Sequence, residues 1–453
     1  MAAPVCKAQR ALICIKTVYI NGYDNIYGGT SMKRIVVLLL VTVILGLMVT
    51  SCRGQDAGIT IEYMNVFDPA QGSGNDGIAH REKYAEYEQS NPGVKINHNA
   101  MTYDQIRERA IVSGQARTGA DFIHMLGEWV PEFAQMGLIA DITDDMRAWS
   151  DFNAFPESAW KVATVNGRIY GIPSVASTRT LVYREDLFRN AGVQVPRTWT
   201  DLREAARRLT GGGTYGFAFC SSTRAIRGPQ EFAVFLYSVN RAELAVQQGN
   251  RWVPGFTVDQ AEQVFQFYYD LMFVDQSVPP FSIGWEWDDM DPAFGAGTIA
   301  MVQNGAWMSG RAQESPSGPS WRTAPFPYHT NPSTYMEVKV EGVGGFTGNR
   351  QAVIDFGKWL YSRDNMAYLF RIDNLPARSD APQSSHWIND PIWRGTFLET
   401  ARDGFTFPAI PLQPVFEASM VNVQEVLYRR MTPRQSAQDF YNKVSAYLDT
   451  EIN

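Results

Sequence analysis

The sequence has few of the residues on which catalytic and metal centres usually depend. Its 453 residues include five histidines and four cysteines, and the histidines show no spacing typical of metal ligands. It contains no Gly-x-Ser-x-Gly turn, and Gly211-Gly212-Gly213 is not followed by the Lys-Ser or Lys-Thr of a phosphate-binding loop. These absences argue against a metal site, a cofactor and nucleophilic hydrolysis.

Basic charge and cysteine are also scarce. The 40 Lys and Arg residues are outnumbered by 47 Asp and Glu, and the net charge of −7 argues against nucleic acid or an anionic lipid surface as a partner. Cys6, Cys14 and Cys52 belong to the N-terminal segment, so Cys220 is left alone and we expect no intramolecular disulfide. Its apolar neighbours predict that Cys220 is a packed small hydrophobe rather than a nucleophile.

A short apolar run near the N-terminus predicts export. Lys33 and Arg34 precede the apolar residues 35–49, and Val49-Thr50-Ser51-Cys52 follows. The run is too short to span a bilayer, which takes about 20 residues, but it has the length of a signal peptide. We expect cleavage before Cys52 and lipidation of this cysteine, since two acyl chains give stable anchoring. The protein would then be extracytoplasmic and lipid-anchored to a bacterial membrane, in the periplasm or at the cell surface.

The residues after this signal are numerous enough for two domains. Met32 resembles the true start, and we exclude residues 1–51 from the fold as an upstream extension and signal peptide. They carry five basic residues and one acidic residue, so the remaining 402 residues have a net charge of −11 instead of −7. A chain of that length usually divides into two domains.

Strand and helix patterns alternate along the chain. Residues 59–66 predict a strand, and a helix over 79–88 stops at the turn signal Asn91-Pro92-Gly93. Further strands are predicted at 94–96 and 121–125, with a helix at 106–113 between them. This alternation is typical of a mainly parallel α/β sheet. Later helices are predicted to begin at two capping motifs, Thr198-Trp199-Thr200-Asp201 and Ser436-Ala437-Gln438-Asp439.

One glycine-rich segment matches a dinucleotide-binding pattern. Gly72-Ser73-Gly74-Asn75-Asp76-Gly77 follows a strand and precedes a helix. However, Asp68-Pro69-Ala70-Gln71 intervene after the strand, and Ile96 is followed by Asn97-His98-Asn99 instead of the acid that would hold a ribose. We therefore interpret residues 72–77 as a flexible loop.

An acidic segment at residues 286–291 leaves three interpretations open. Glu286 and Asp289 could be the paired carboxylates of a secreted glycoside hydrolase, although nothing in the sequence supplies a proton shuttle. A solvated acidic loop is the commoner explanation. In a sugar site, the carboxylates would accept hydroxyl hydrogen bonds while Trp285 or Trp287 stacks on the ring, and each bond to a charged partner is worth about 1.5–3 kcal/mol.

Several blocks, taken in chain order, carry a family resemblance. They are Asn91-Pro92-Gly93-Val94-Lys95-Ile96, residues 120–142, residues 166–173, residues 181–188, Ala191-Gly192-Val193 with Pro196-Arg197-Thr198-Trp199, and residues 294–307. They resemble the family 1 extracellular solute-binding proteins, the sugar-binding lipoproteins of ABC importers. The chain departs from the family pattern at Tyr183-Arg184-Glu185-Asp186, where the family has Asn-Lys. It departs again at Glu417, where maltodextrin binders carry a stacking aromatic, which argues against a long maltodextrin ligand.

The resemblance implies a type II periplasmic binding protein fold. Each of two α/β lobes would have a mainly parallel sheet flanked by helices, and the ligand would lie in the cleft between them. The chain would cross between the lobes near residues 177–180, 341–345 and 407–411. The N-terminal lobe would then comprise residues 52–176 and 341–408, the C-terminal lobe residues 177–340, and residues 409–453 would form helices that pack on the C-terminal lobe.

The resemblance also implies transport without catalysis. The protein would act as a monomer that delivers a monosaccharide, short oligosaccharide or polyol to the transmembrane subunits of an ABC permease. The alternatives are the hydrolase above and the same fold with a non-sugar solute. Because ligands bind at the carboxyl ends of the strands in open α/β sheets, we predict ligand-binding residues at the following positions: Asn65, Asp68, Glu128, Trp129, Arg227, Gln230, Trp285, Asp289, Asn304, Trp307 and Arg378.

Each of these residues has a purely structural alternative. Asp68 could cap the next helix, Trp285 could belong to the core, and Arg378 could pair with an interior carboxylate. Trp307 is the strongest candidate, because it follows Gly305 in a predicted turn and matches the stacking position of the family.

Overall fold

Residues Ile59–Asn453 contain two large β-sheets, one for each of the two lobes that the family resemblance predicts. The computed structural model describes residues 58–68, 74–224, 226–371, 374–384 and 391–453. The predicted signal segment and Cys52 lie outside the described residues. Among those that are described, no helix is both long and apolar enough to cross a bilayer.

The strands are short. In chain order they are β1 (Ile59–Asn65), β2 (Val94–Ala100), β3 (Phe122–Leu126), β4 (Thr164–Val165), β5 (Arg168–Ile169), β6 (Ile172–Thr178), β7 (Thr180–Arg184), β8 (Tyr215–Ala218), β9 (Glu243–Gln248), β10 (Arg251–Gly255), β11 (Ile299–Asn304), β12 (Trp321–Ala324), β13 (Thr334–Val343), β14 (Leu375–Pro376) and β15 (Gly404–Phe405). Strands β3, β7 and β11 are among the most deeply buried.

The first lobe is built on a sheet with the strand order β14-β6-β13-β3-β1-β2, and β15 pairs with β13. Strands β1, β2 and β3 are parallel, whereas β13 runs antiparallel to both β3 and β6. The carboxyl ends of β1 and β3 therefore lie at the same edge of the sheet. The second lobe contains a sheet with the order β12-β7-β11-β8, in which β11 is parallel to β8 and antiparallel to β7. The pairs β4–β5 and β9–β10 form separate hairpins.

Helices cover both sheets. They are α1 (Gly74–Ser90), α2 (Tyr103–Gln115), α3 (Val130–Gln135), α4 (Thr143–Arg147), α5 (Glu157–Val162), α6 (Glu185–Ala191), α7 (Trp199–Leu209), α8 (Arg227–Ser238), α9 (Val258–Tyr269), α10 (Trp287–Gly295), α11 (Met308–Glu314), α12 (Arg350–Leu360), α13 (Arg363–Leu369), α14 (Pro391–Thr400), α15 (Gln413–Leu427) and α16 (Pro433–Tyr447). Helices α1, α2 and α12 contact the first sheet, and α15 and α16 contact α8, α9 and each other in the second lobe.

Of the two helix starts predicted from capping motifs, one is confirmed. The capping box of Thr198 and Asp201 starts α7. The predicted cap at Ser436 is wrong, because α16 begins one turn earlier, where the side chains of Thr432 and Gln435 cap each other. Pro433 at the first helical position favours this earlier start, since its missing N–H needs no partner there.

The chain passes between the lobes where β6 ends and β7 begins, through Arg179, and again where residues 406–412 lead from β15 to α15. The passage predicted at 341–345 and the domain boundary at 340/341 are wrong. Strand β13 pairs with β6 from Met336 to Glu341 and with β3 from Lys339 to Val343, so this part of it belongs to the first lobe. The passage lies at the start of β13 instead.

Two further local predictions can be checked. The interpretation of residues 72–77 as a loop is wrong in part, because α1 already begins at Gly74; Gly72 and Ser73 lie outside the described residues. Cys220 is fully buried, as predicted, and packs in a cluster with Val182, Ala218 and Met290. Burial raises the pKa of its thiol well above the usual value, so it is a poor nucleophile.

Candidate functional site

Glu128 lies at the carboxyl edge of the first sheet. Strand β3 ends at Leu126, and the short 3-10 helix Gly127–Trp129 turns the chain across the end of the sheet. Gly127 is required by the close approach of β13, because a Cβ at this position would lie 2.5 Å from the backbone oxygen of Val338 and would overlap a neighbouring side chain. This turn presents the Glu128 side chain toward β13 and the second lobe.

The carboxylate of Glu128 joins the two lobes. It accepts a hydrogen bond from the Tyr335 hydroxyl on β13 (2.7 Å) and another from Gln230 Nε2 on α8 of the second lobe (2.6 Å). Burial and then the charge of Glu337 raise the pKa of Glu128, while the two hydrogen bonds oppose the shift. The Glu128–Gln230 bond is thus a polar contact across the interlobe boundary.

Arg179 connects this bond to the passage between the lobes. Its guanidinium donates to Gln230 Oε1 (2.6 Å) and to both carboxylate oxygens of Glu337 on β13 (3.0 and 3.3 Å). Arg179 is fully buried and Glu337 is 1% exposed. Burial alone would raise the pKa of Glu337, but the charges of Arg179 and Lys339 outweigh it and lower this pKa from 4.5 to about 2. Both members of the pair are therefore charged at neutral pH.

Trp307 offers a half-buried aromatic ring beside this network. Strand β11 ends at Asn304, and the turn through Gly305 leads to Trp307 just before α11. The Arg179 guanidinium lies 4.8 Å from the centre of the indole ring, and the Lys339 ammonium lies 5.7 Å from it. Such cation–π contacts contribute about 0.5–2 kcal/mol each and hold the ring in one orientation.

Buried polar groups hold the end of β11 in place. Arg227 is fully buried and donates to Glu231 Oε1 (2.7 Å), to Asn304 Oδ1 (3.4 Å) and to the backbone oxygen of Gln303. Asn304 also donates to Asp291 Oδ1 (2.8 Å) and accepts from the Gly305 N–H (3.0 Å). In this structure, Arg227 and Asn304 support the turn that carries Trp307 and are covered from solvent.

A cavity of about 100 Å³ lies between α2 of the first lobe and α15 of the second. Its lining includes Trp129, which is 2% exposed and whose Nε1 has no hydrogen-bond partner among the described residues. Asp104 also lines it, and burial together with the charges of Glu286 and Asp288 raises the pKa of Asp104 from 3.8 to about 6, against the opposing charges of Arg224 and Arg107. Glu417 lines the same cavity.

The structure brings several of the predicted site residues together. Glu128 and Gln230 are hydrogen-bonded, Gln230 is joined through Arg179 to the ring of Trp307, and Arg227 links Asn304 to the same ring. Trp129 follows Glu128 in the chain and lines the cavity described above. These residues come from both lobes and from separate parts of the sequence.

Other predicted residues are not joined to this cluster by the contacts described. Arg378 is 4% exposed and pairs with Asp151 (3.0 Å) and Asp380 (2.7 Å) inside the first lobe, which is the structural alternative stated above. Asn65 is fully buried, with Oδ1 accepting from the Phe67 N–H (2.9 Å). Asp68 is half-buried after β1, and Trp285 is half-buried against the cluster around Met290.

Two carboxylates of the acidic segment at residues 286–291 cap a helix. Glu286 and Asp289 form a reciprocal cap at the start of α10, in which Asp289 Oδ2 accepts from the Glu286 N–H (3.0 Å) and the Glu286 side chain accepts from the backbone at Asp289. Asp289 is exposed, and the side chain of Trp287 lies outside the described residues. Across the described part of the chain, no group of three or more His, Cys, Asp or Glu side chains could hold a metal ion.

Sequence reasoning missed the residues that organise the site. Arg179, Tyr335, Glu337 and Lys339 were not predicted, although two signals mark them. Arg179 is a lone cation between hydroxyl and apolar residues at the predicted passage 177–180. Tyr335, Glu337 and Lys339 recur with a period of two in β13, which places them on one face of a buried strand.

The chain matches the model of a known family. The family is described as bacterial extracellular solute-binding proteins, and its model covers residues 73–367. This is more than half of the chain, and the chain belongs to this family. The predicted family is therefore confirmed.

Several known proteins resemble the chain over most of its length. It is 24% identical to an uncharacterised lipoprotein from the oleD 5′ region of Streptomyces antibioticus, over 82% of this chain and 81% of the relative. Among solved structures, an ABC transporter solute-binding protein from Thermotoga lettingae bound with α-D-tagatose superposes with a TM-score of 0.77 at 21% identity, covering 86% of this chain and all of that one. The GacH receptor of Streptomyces glaucescens, solved unliganded and with acarbose, gives 0.76 at 20% identity, covering 87% and 99%. These likenesses confirm the two-lobed fold.

Proposed function

We propose that this protein is the substrate-binding component of an ABC importer and captures a carbohydrate between its lobes. The observation that carries the proposal is the Trp307 ring. It is half-buried and lies 4.8 Å from the guanidinium of Arg179, which in turn is hydrogen-bonded to Gln230 of the interlobe pair Glu128 and Gln230. An indole face suits the apolar face of a sugar ring, and carboxylate and amide groups suit its hydroxyls. Structurally similar proteins bind tagatose and acarbose, which supports the same ligand class here.

The ligand-binding residues in this proposal are Trp307, Glu128, Gln230 and Trp129, with Asn65, Asp68, Trp285 and Asp289 as outer candidates. Arg227 and Asn304 contribute by holding the turn beneath Trp307. The ligand would be released unaltered to the permease, since the carboxylates of Glu286 and Asp289 serve as a helix cap.

The proposed location follows from the N-terminal sequence. Cleavage before Cys52 and lipidation of this residue would tether the monomeric protein outside the cytoplasm, within reach of a permease. The lipoprotein from Streptomyces antibioticus supports this proposal by its name. Mass spectrometry of the membrane fraction tests it: we expect a mature chain that begins at a diacylglyceryl-modified Cys52, and a chain with an intact residue 1–51 segment would contradict it.

A ligand screen by calorimetry tests the carbohydrate proposal. The probes are α-D-tagatose, maltose, mannotriose, acarbose and mannitol, with spermidine and glycerol 3-phosphate as non-sugar solutes. We expect at least one sugar or polyol to bind. Trp307→Ala should weaken that binding about tenfold or more, because it removes the ring face. Trp252→Ala, at a half-buried tryptophan in β10, is the matched control and should not. Binding of a non-sugar probe alone would refute the proposal.

A further inference from the structure

Four buried side chains, joined by hydrogen bonds, connect the two lobes. In order they are Glu337, Arg179, Gln230 and Glu128, and their relative exposures are 1%, 0%, 1% and 7%. Glu337 and Glu128 belong to the first lobe, Gln230 to the second, and Arg179 to the passage that connects them. This series of hydrogen bonds therefore begins in the first lobe at Glu337, reaches the second lobe at Gln230 and ends in the first lobe at Glu128.

The amide of Gln230 can be oriented in one way only. Its oxygen accepts from Arg179 Nη2 (2.6 Å), a group that cannot accept a hydrogen bond, and its nitrogen donates to the carboxylate of Glu128 (2.6 Å). A flipped amide would point its N–H groups at a guanidinium and its oxygen at a carboxylate. Arg179 therefore determines that Gln230 presents a donor to the other lobe.

Arg179 in turn cannot change its position freely. Its backbone N–H donates to Thr334 Oγ1 (2.8 Å) at the start of β13, and the same hydroxyl donates to its backbone oxygen (2.8 Å). The side chain is held by Glu337 on one edge and lies against the Trp307 ring at 4.8 Å. One guanidinium therefore contacts both β13 and the aromatic ring, at the point where the backbone must bend if the lobes move.

Burying an ion pair contributes little net stability, because the cost of desolvation offsets the attraction. In some proteins, a buried polar or ionic network instead specifies one arrangement of the fold. Here the arrangement includes the lobe orientation, through Gln230 and Glu128, and the orientation of the aromatic ring, through Arg179.

We propose that Arg179 is a positioning residue that locks the Gln230 amide onto Glu128, and that this latch couples the orientation of the Trp307 ring to the orientation of the lobes. The part of the proposal that concerns the ring rests on the proposed function. The part that concerns the lobes does not, because it can be measured without a ligand.

The test measures the distance between the lobes in the ligand-free mature protein. Spin labels are attached through Arg109→Cys on α2 and Val421→Cys on α15, both exposed and on the helices that line the interlobe cavity. Cys220 is fully buried and stays unlabelled, and Cys52 is replaced by Ser so that it takes no label. Double electron–electron resonance then reports the populations of short and long distances.

Gln230→Glu is the decisive variant. The new carboxylate keeps the acceptor for Arg179 but replaces the donor toward Glu128 with a like charge. We expect the ratio of short to long distances at pH 7.5 to fall by about tenfold or more, since a hydrogen bond to a charged group is lost. The double substitution of Gln230→Glu with Glu128→Gln exchanges donor and acceptor across the boundary, and we expect it to restore the distribution of the parent protein.

Controls separate the latch from general damage. Arg184→Lys alters another buried arginine, paired with Asp186 within the second lobe, and should leave the distances unchanged. Arg179→Lys keeps the charge but loses the fork that reaches Glu337 and Gln230 together, so it should lengthen the distances. If Gln230→Glu does not fold, as judged by circular dichroism, Gln230→Met removes both bonds at similar volume and should give the same lengthening.

Two results would overturn the proposal. One is an unchanged distance distribution in the folded Gln230 variants. The other is a doubly substituted protein whose interlobe distances are no shorter than those of Gln230→Glu alone. Neither depends on whether a sugar binds. If the ligand screen finds no carbohydrate while the distances respond as described, the proposed function fails and the latch stands.

Discussion

Gly305→Ala should displace the Trp307 ring without removing any group that could touch a ligand. A Cβ built on Gly305 overlaps the indole ring and lies 2.6 Å from its Cε3. Ordinary carbon–carbon contacts are about 3.5–4.0 Å, and the ring carbons Cζ3 and Cη2 lie closer to this Cβ than Cε3 does, so the ring or the backbone has to move by more than about 1 Å. The backbone is the stiffer of the two, because the Gly305 N–H is bonded to Asn304 Oδ1 (3.0 Å) and Asn304 is fully buried. The ring should therefore move.

Gly305→Ala should weaken ligand binding more than it lowers the stability of the fold. Loss of a well-placed ring face is worth about 1–2 kcal/mol, from the buried apolar area and the ring geometry together. This corresponds to roughly a tenfold increase in Kd for the carbohydrate found in the ligand screen. Isothermal titration calorimetry measures it. Trp307 is half-buried, so the ring can shift toward solvent and we expect the midpoint of thermal unfolding to change by a few degrees at most, roughly 1 kcal/mol in a chain of this size.

Gly295→Ala is the matched control in the same lobe. Its new Cβ would meet Trp321 Cζ2 at 3.7 Å, an ordinary contact, and we expect its Kd to equal that of the parent protein. An unchanged Kd in Gly305→Ala would refute the assignment of Trp307 as the ring platform. An equal loss in both variants would show that binding responds to any added methyl group in this lobe.

Three further predictions concern charges. Because the pKa of Glu337 is lowered from 4.5 to about 2, the folded protein favours the ionised over the protonated carboxylate by on the order of 3 kcal/mol, and this preference is lost as the pH falls from 4.5 toward 2. Glu337→Gln should be less stable at pH 7, because Arg179 stays buried without its counter-charge, and should lose less stability on acidification. Urea unfolding measures both effects, and an acid profile parallel to that of the parent protein would contradict this. The pKa of Asp104 is raised from 3.8 to about 6, so the free energy of unfolding should decrease as the pH rises from about 4 to 6, and this slope should flatten in Asp104→Asn but not in the exposed Asp355→Asn. Glu286→Ala should lower stability by about 1 kcal/mol through loss of the α10 cap, and neither it nor the parent protein should hydrolyse an aryl glycoside; turnover by the parent that the variant lacks would favour the hydrolase alternative.

Much of the fold follows from local sequence patterns. The period-two strand at residues 59–66 and the capping box at Thr198 both act in the structure as local physical chemistry predicts, because their signals lie within a few residues. Predictions failed where two local signals compete. The segment around Ser436 contains two overlapping capping motifs, and the one that begins at Thr432 has the added advantage of Pro433.

The candidate site was predictable only in part. Trp307, Glu128 and Gln230 were named because they lie in blocks with a family pattern or at strand ends. Arg378 was named for the same reason, yet Asp151, more than two hundred positions away in the chain, holds it inside the first lobe (3.0 Å). Whether a charged residue meets a ligand or an interior partner depends on contacts between distant segments, which a sequence pattern does not contain.

The sequence by itself determined the alternation of strands and helices and the family, since each depends on neighbouring residues or on short blocks in order. The tertiary structure decided where the chain passes between the lobes, which tryptophan stays partly open, and which carboxylates are consumed as caps or ion pairs. It also decided the role of Arg179, whose partners Gln230 and Glu337 lie 51 and 158 positions away. The physical reason is that a buried charge is tolerable only where folding supplies its partners, and those partners come from segments that are remote in the chain.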